Sequence, residues 1–294
     1  MHISMTLPQM VADYDRSTTL DWCREIDAGP FHSLACGERV TWRNQEMLVL
    51  LSAAAALTER VMIYPTVIVA PIHGTGLLAK QIATLDVLSG GRMVVGLGVG
   101  GREQDYRAAE APFRRRYARL DEQAAELRRL WSGEPAFPDT DPIGPPPVQP
   151  GGPRLLAGSQ GPKSLARAAK WADGICGQLM AQPVESVADE VVKYRTAWTD
   201  AGRTDAPYVT TGFWYSLDPD RPLEVLQRYA REYATIFGEG IAEWMAGMQT
   251  VAGPEALQAA IETCRAAEVD ELVLVPTSSA IAELERTVAV LEGR

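Results

Sequence analysis

Three stretches of this 294-residue chain carry side chains whose types and spacing could do chemistry. "GER" places Glu38 and Arg39 just past a run of strand character, "FHSLAC". His73 follows the next such run, "RVMIYPTVIVA". In parallel α/β proteins the C-terminal ends of strands gather functional groups, and the ordinary histidine pKa of about 6.5 suits acid–base work there. His2 and His32 stand instead at strand starts, where side chains serve stability. "GSQGPKS" offers Gly158, Ser159, Lys163 and Ser164 at the opening of a helix. Free amides, a lysine and two hydroxyls suit a phosphate, and plain capping by Ser159 or Ser164 is the alternative. The stretch is not a P-loop, because Pro162 precedes Lys163 and the glycine-to-lysine spacing fails.

"VVGLGVGGREQDY" holds Gly96, Gly98 and Gly101 at the spacing of a dinucleotide-binding fingerprint. That motif needs the first strand of a βαβ unit, an immediate helix and an acid at the next strand end. Here the glycines follow about the fourth strand. Asp121 and Glu122, about twenty residues on, fall inside a helical pattern. The match is accidental, and Gly98 and Gly100 are instead expected to permit close approach of a planar group or to form a tight strand exit.

The elements that must position these residues are short apolar runs alternating with helical periodicity. Strand candidates are "HISMTL", "FHSLAC", "RVMIYPTVIVA", "RMVVGLGVG", "RLLAG", "DGICGQ", "PYVTTGFWYSL" and "ELVLVP". Helices are expected in "NQEMLVLLSAAAALT", "LLAKQIATLDVL", "YARLDEQAAELRRLW" and "GPEALQAAIETCRAAEVD", the last with Pro254 at its first position. Gly90 or Gly91 should end the second of these in the left-handed conformation. About eight strand–helix units in one chain predict a single (β/α)8 barrel domain over 1–294, with an open doubly wound sheet as the alternative. Residues 132–153, rich in proline and glycine, read as an insertion after the fourth unit, serving either as a lid or as a structural crossover.

Composition narrows the partners. A net charge of −10 argues against nucleic acid and anionic membrane. Cys23, Cys36, Cys176 and Cys264 are scattered and histidines number three, so no metal centre is expected. Unpaired thiols, no signal-like start and no span-length apolar run point to the cytoplasm.

The run from Arg60 to Tyr106, with its "ATLDVLSGGR" and "GLGVG" succession, resembles the bacterial luciferase-like monooxygenase superfamily. "FHSLACGER" before it and "LLAGSQGPKSLARAAKWADG" after it extend the resemblance in order. It implies a (β/α)8 barrel holding flavin or deazaflavin at the C-terminal mouth, and the "GER" stretch looks most like the branch dependent on the deazaflavin coenzyme F420. It also implies a ring contact at Glu38, for which an ion pair with Arg39 or Arg43 is the structural alternative. A non-prolyl cis peptide is implied at Thr66–Val67, behind the ring. Two positions depart from the family pattern. Arg39 stands where many relatives have a histidine, and Gly101 where sugar-phosphate dehydrogenases have a catalytic glutamate. Arg39 could instead meet a substrate carboxylate or charge developing on the ring.

The resulting expectation is an oxidoreductase using reduced F420 to deliver hydride to a small organic substrate. Glu38, Arg39 and His73 would be catalytic. Glu38, Thr66, Val67, Gly98, Gly100, Gly158, Ser159, Lys163 and Ser164 would hold the coenzyme. An FMN-dependent monooxygenase and a coenzyme-binding protein without turnover are the alternatives. Arg114, Arg115, Arg116 and Arg119 either form a solvated face or receive the anionic tail of F420. The apolar "NQEMLVLLSAAAAL" either supports a homodimer or is simply buried.

Overall fold

The computed structural model describes residues 1–293. In chain order it opens with β1 (His2–Thr6), α1 (Arg16–Ala28), β2 (Ser33–Cys36) and α2 (Met47–Leu57). β3 (Met62–Pro65), β4 (Ile68–Val69), α3 (Thr75–Leu88) and β5 (Val94–Gly98) follow. Next come α4 (Glu103–Ala108), α5 (Arg116–Trp131), β6 (Arg154–Ala157), α6 (Pro162–Ala168) and β7 (Gly174–Cys176). The chain closes with α7 (Val187–Asp200), β8 (Tyr208–Tyr215), α8 (Pro222–Ala234), α9 (Glu239–Gly247), α10 (Pro254–Ala266), β9 (Glu271–Pro276) and α11 (Ile281–Leu291). The strands hydrogen-bond in the order β3-β2-β1-β9-β8-β7-β6-β5-β4, the order of a parallel (β/α)8-type sheet rather than of a doubly wound one.

Eight runs were expected and nine strands are described, because "RVMIYPTVIVA" breaks into β3 and β4 around the cis peptide Thr66–Val67. The four expected helices are α2, α3, α5 and α10, the last with proline in its first turn. Gly90 and Gly91 both take positive φ after α3, at 66° and 87°. Pattern reading missed α4, whose six mostly polar residues are too few to show a period, and the α8–α9 pair inserted between β8 and β9.

The chain forms two compact units. One comprises Met1–Leu34, Gly177–Tyr194 and the chain from Val209 onward. In it β9 pairs in parallel with β1 and β8 (His2↔Glu271, Thr210↔Glu271). Glu271, 1% exposed, accepts the hydroxyls of Ser4 (2.5 Å) and Ser33 (2.6 Å), so its buried polar group is hydrogen-bonded within the protein. His2 and His32 stack on each other at 3.9 Å, at the starts of β1 and β2. Trp214 meets Tyr229 and Tyr233 of α8 edge to face.

The other unit comprises Ala35–Cys176 and Arg195–Tyr208. β4, β5, β6 and β7 pair in sequence there (Val69↔Gly98, Leu97↔Ala157, Ala157↔Ile175). The 132–153 segment lies along α3. Ile143 meets Gly76, the Gly144 carbonyl accepts Lys80 Nζ (2.6 Å), and Val148 meets Gly91. At its foot the fully buried Asp86 accepts the amides of Val148 (2.7 Å) and Gln149 (3.0 Å). Gln149 Nε2 also donates to Asp86 and to the Met93 carbonyl, just before β5. These bonds tie the end of the segment to α3 and to the residue before β5.

Candidate active site

Every residue of the candidate site lies in the second of these units, at or beyond strand C-terminal ends. Glu38, two residues past β2, is the hub. Its Oε1 lies 2.9 Å from His73 Nε2, and its Oε2 accepts the Val69 N–H at 2.6 Å. The side chain that meets the Glu38 carboxylate is thus His73, from the turn after β4. The Glu38 side chain is 5% exposed and that of His73 20%, so the pair is sheltered yet open on the imidazole side. Burial works against the charged imidazole. The hydrogen bond and charge of Glu38, with the charge of Glu46, outweigh it and raise the His73 pKa.

The His73 turn is itself braced. Arg119 donates to the carbonyls of Pro71 (3.0 Å) and His73 (3.0 Å), and Gln123 Nε2 donates to the His73 carbonyl (3.0 Å). Arg116 lies over Phe113 at 3.8 Å and donates to its carbonyl. Two of the four arginines read as a possible tail-binding cluster are therefore spent on local structure. Arg114 is exposed and Arg115 makes an open surface pair with Glu122.

The glycines of "GLGVG" have a packing reason. A Cβ on Gly98 would lie 2.5 Å from Val67 Cγ2, one on Gly96 2.6 Å from the Pro65 carbonyl, and one on Gly158 3.0 Å from Val67 Cγ1. Gly100, at φ 58°, abuts Val69. Val67 thus fills the space beside Gly98 and Gly158, so those glycines admit a neighbouring side chain where a planar ring was one expectation. Thr66 donates its amide to the Cys36 carbonyl at 2.7 Å.

The expected free amides of Gly158 and Ser159 are not free. Gly158 N–H donates to Leu97 O (2.7 Å) and Ser159 N–H to Ala157 O (2.9 Å), because the strand ladder and its turn claim them. Orphan amides belong instead to the first turn of α6, where Lys163 and Ser164 sit. Ser164 Oγ donates to the Gly161 carbonyl, Ser159 is buried, and Lys163 is exposed.

Sequence reasoning also passed over Trp42, Arg102 and Asp105. Arg39, Arg43 and Arg102 all lie against the Trp42 ring. Asp105 accepts the Thr41 amide (2.9 Å) and hydroxyl and lies 3.3 Å from Arg102 Nε. Burial opposes its charge, but the Thr41 bonds and Arg102 hold its pKa below the usual carboxylate range. Gly101, the position matching a family glutamate, is exposed, and the nearby buried acid is Asp105. The signal was an indole flanked by arginines in "ERVTWR". Tyr106 is held by the Val99 carbonyl, and burial pushes its pKa up to about 12. Among the described residues no group of histidine, cysteine or carboxylate side chains is arranged to hold a metal ion, and no helix is long and apolar enough to cross a membrane.

A parallel (β/α)8-type sheet with an acid–imidazole pair past its strand ends defines an α/β barrel with its polar site in the βα loops. The sequence signature of the luciferase-like monooxygenase family matches residues 3–278, and the chain belongs to that family. An uncharacterized protein of Mycobacterium bovis, Mb0978c, is 34% identical over 57% of this chain and 61% of its own length. The pyrimidine monooxygenase RutA of Escherichia coli is 28% identical over 59% of this chain and 51% of its own. The chain thus spans between half and two thirds of these curated relatives. Among solved structures, the monooxygenase RslO1 of Streptomyces bottropensis superposes with a TM-score of 0.78 at 23% identity, covering 100% of this chain and 98% of that one. An F420-dependent secondary alcohol dehydrogenase, solved with an F420–acetone adduct, gives 0.79 at 18% identity, covering 99% and 96%. At such identities the likeness is one of fold.

Proposed function

We propose that this chain is an oxidoreductase that binds a flavin-type coenzyme, F420 in preference to FMN, past the ends of β2, β4, β5 and β6. Its substrate is a small organic molecule. The observation that carries the reading is the Glu38–His73 pair, a sheltered carboxylate–imidazole couple with its imidazole side open. The donor set fits such a coenzyme: an ionisable pair for the ring edge, and Lys163, Ser164 and the first-turn amides of α6 for its phosphate. Exposed Arg114 and Arg115, just before α5, support an anionic extension beyond that phosphate. The family and the F420-dependent and monooxygenase neighbours support a flavin-type coenzyme in general.

When bound in its reduced form the coenzyme supplies hydride, and the protein supplies orientation and protons. Glu38 holds His73 through Nε2, and protonated His73 gives or recovers a proton at the reacting edge. Arg39, 6% exposed beside Glu38, favours negative charge there.

Titration with each coenzyme, followed by absorbance and fluorescence, tests the reading. F420 should bind more tightly than FMN, with an affinity that falls as salt rises. Lys163→Ala should cost about 1–3 kcal/mol of coenzyme binding, a lost charge-assisted hydrogen bond. Tight FMN binding without F420 binding, followed by rapid reoxidation in air, would establish the monooxygenase alternative.

Self-association belongs to the same proposal. α2 and α3 expose Val49 (71%), Leu77 (64%) and Leu88 (48%) around an apolar groove of about 270 Å³. Such a patch suits a second copy of the chain.

A further inference from the structure

The indole of Trp42 gathers three guanidinium groups. The Cζ atoms of Arg39, Arg43 and Arg102 lie 4.9, 5.1 and 5.5 Å from its ring centroid. Each cation gains from the ring quadrupole, but like charges drawn to one ring also repel one another. The three are not equivalent. Arg102 is a brace: Nη2 donates to the Thr41 carbonyl (2.8 Å), and Nε faces Asp105, which Thr41 also holds. That lattice fixes the loop carrying the other two. Arg39, the residue after Glu38, is buried, while Arg43 is exposed. Trp42 Nε1, on the same ring, is buried without a hydrogen-bond partner.

We propose that Arg39 and Arg43, spread on Trp42 and braced by Thr41, Arg102 and Asp105, form a subsite for an oxyanion of the substrate, a carboxylate or a phosphate. Planar guanidinium forks match both anions with paired N–H donors, which a lysine could not do. An anchored oxyanion would hold the rest of the substrate against His73, where a fixed approach contributes much of a rate. As a substrate site it rests on the oxidoreductase reading; as an anion site it stands without it.

The test titrates the full chain with succinate and with inorganic phosphate at constant ionic strength, against chloride. The readout is tryptophan fluorescence, compared with Trp42→Phe. Saturable quenching by one of the two anions, absent from Trp42→Phe, is expected, and the tighter anion identifies the substrate group. Arg43→Gln, at an exposed position, should weaken it about tenfold, as should Arg39→Gln. Arg43→Lys should recover only part of the loss. No saturable response to either anion, or one unchanged in Arg43→Gln, overturns the proposal. Coenzyme affinity separates the two readings. Arg43→Gln should keep F420 or FMN affinity within about twofold, and a parallel loss of coenzyme would assign the anion to the coenzyme's own phosphate and overturn the substrate subsite. If neither coenzyme binds the wild-type chain, the oxidoreductase reading fails while the anion titration still decides the subsite.

Discussion

Glu38 bridges two loops with one carboxylate, taking His73 Nε2 at 2.9 Å on one oxygen and the Val69 amide at 2.6 Å on the other. An imidazole therefore stands beside the acid although the residue after Glu38 is an arginine. The histidine comes from the turn after β4 instead, and Arg119 and Gln123 hold that turn from behind.

That pairing sets a pH dependence. The folded-state pKa of His73 is raised, so the stability it contributes is fully present below the unfolded value of about 6.5. It is lost as pH rises through the raised native value. Glu38→Gln keeps an acceptor for Val69 but removes the charge. The stability gap between wild type and variant, measured by urea unfolding, should be widest in mild acid and narrow on the alkaline side. Proton NMR of the three histidines should show one native pKa falling in the variant. Three unchanged titrations would mean that Glu38 does not govern His73.

Gly98→Ala tests the packing account of the glycines. Its Cβ would meet Val67 Cγ2 at 2.5 Å, within a strand that cannot retreat, so overpacking should cost about 1–3 kcal/mol. Adding Val67→Ala should recover part of that loss, giving a coupling energy of opposite sign in a double-mutant cycle. Simple additivity in denaturant melts would refute the account.

Asp86→Ala should strip the Val148 and Gln149 amides of their shared acceptor. Leaving buried donors unmade costs about 1–3 kcal/mol apiece. The 132–153 segment should then be cleaved faster by added protease than in the wild type. If the segment were a mobile lid, cleavage would already be fast in the wild type and unchanged by the substitution.

Leu77→Lys and Val49→Glu place charge on the exposed apolar face of α2 and α3. Light scattering should give a dimer for the wild type at micromolar concentration and a monomer for either variant. A wild-type monomer removes the proposed homodimer.

Much of the fold was legible because it is written in local periods. Strand runs such as "RMVVGLGVG" and helices such as "YARLDEQAAELRRLW" carry their hydrophobic spacing in the chain itself. Pro254 and Gly90 mark boundaries by their own backbone preferences. The residue types at the site were legible too: an acid after β2 and a histidine after β4 can only face the strand ends.

What tertiary structure decided was who meets whom. Glu38 had two arginines within five residues, yet its partner lies thirty-five residues away, because parallel strands bring their C-terminal loops together. Gly98 looked like room for a planar group, and Val67, from the break between β3 and β4, packs against that glycine. The Gly158 and Ser159 amides looked free, and the ladder to Leu97 and the turn at Ala157 use them. The sequence by itself determined the elements and the chemistry available at their ends, since propensity and period are local properties. The hydrogen-bond partners, and hence which of those groups remain available, were decided by contacts between residues distant in the chain, where a one-dimensional pattern carries no distance.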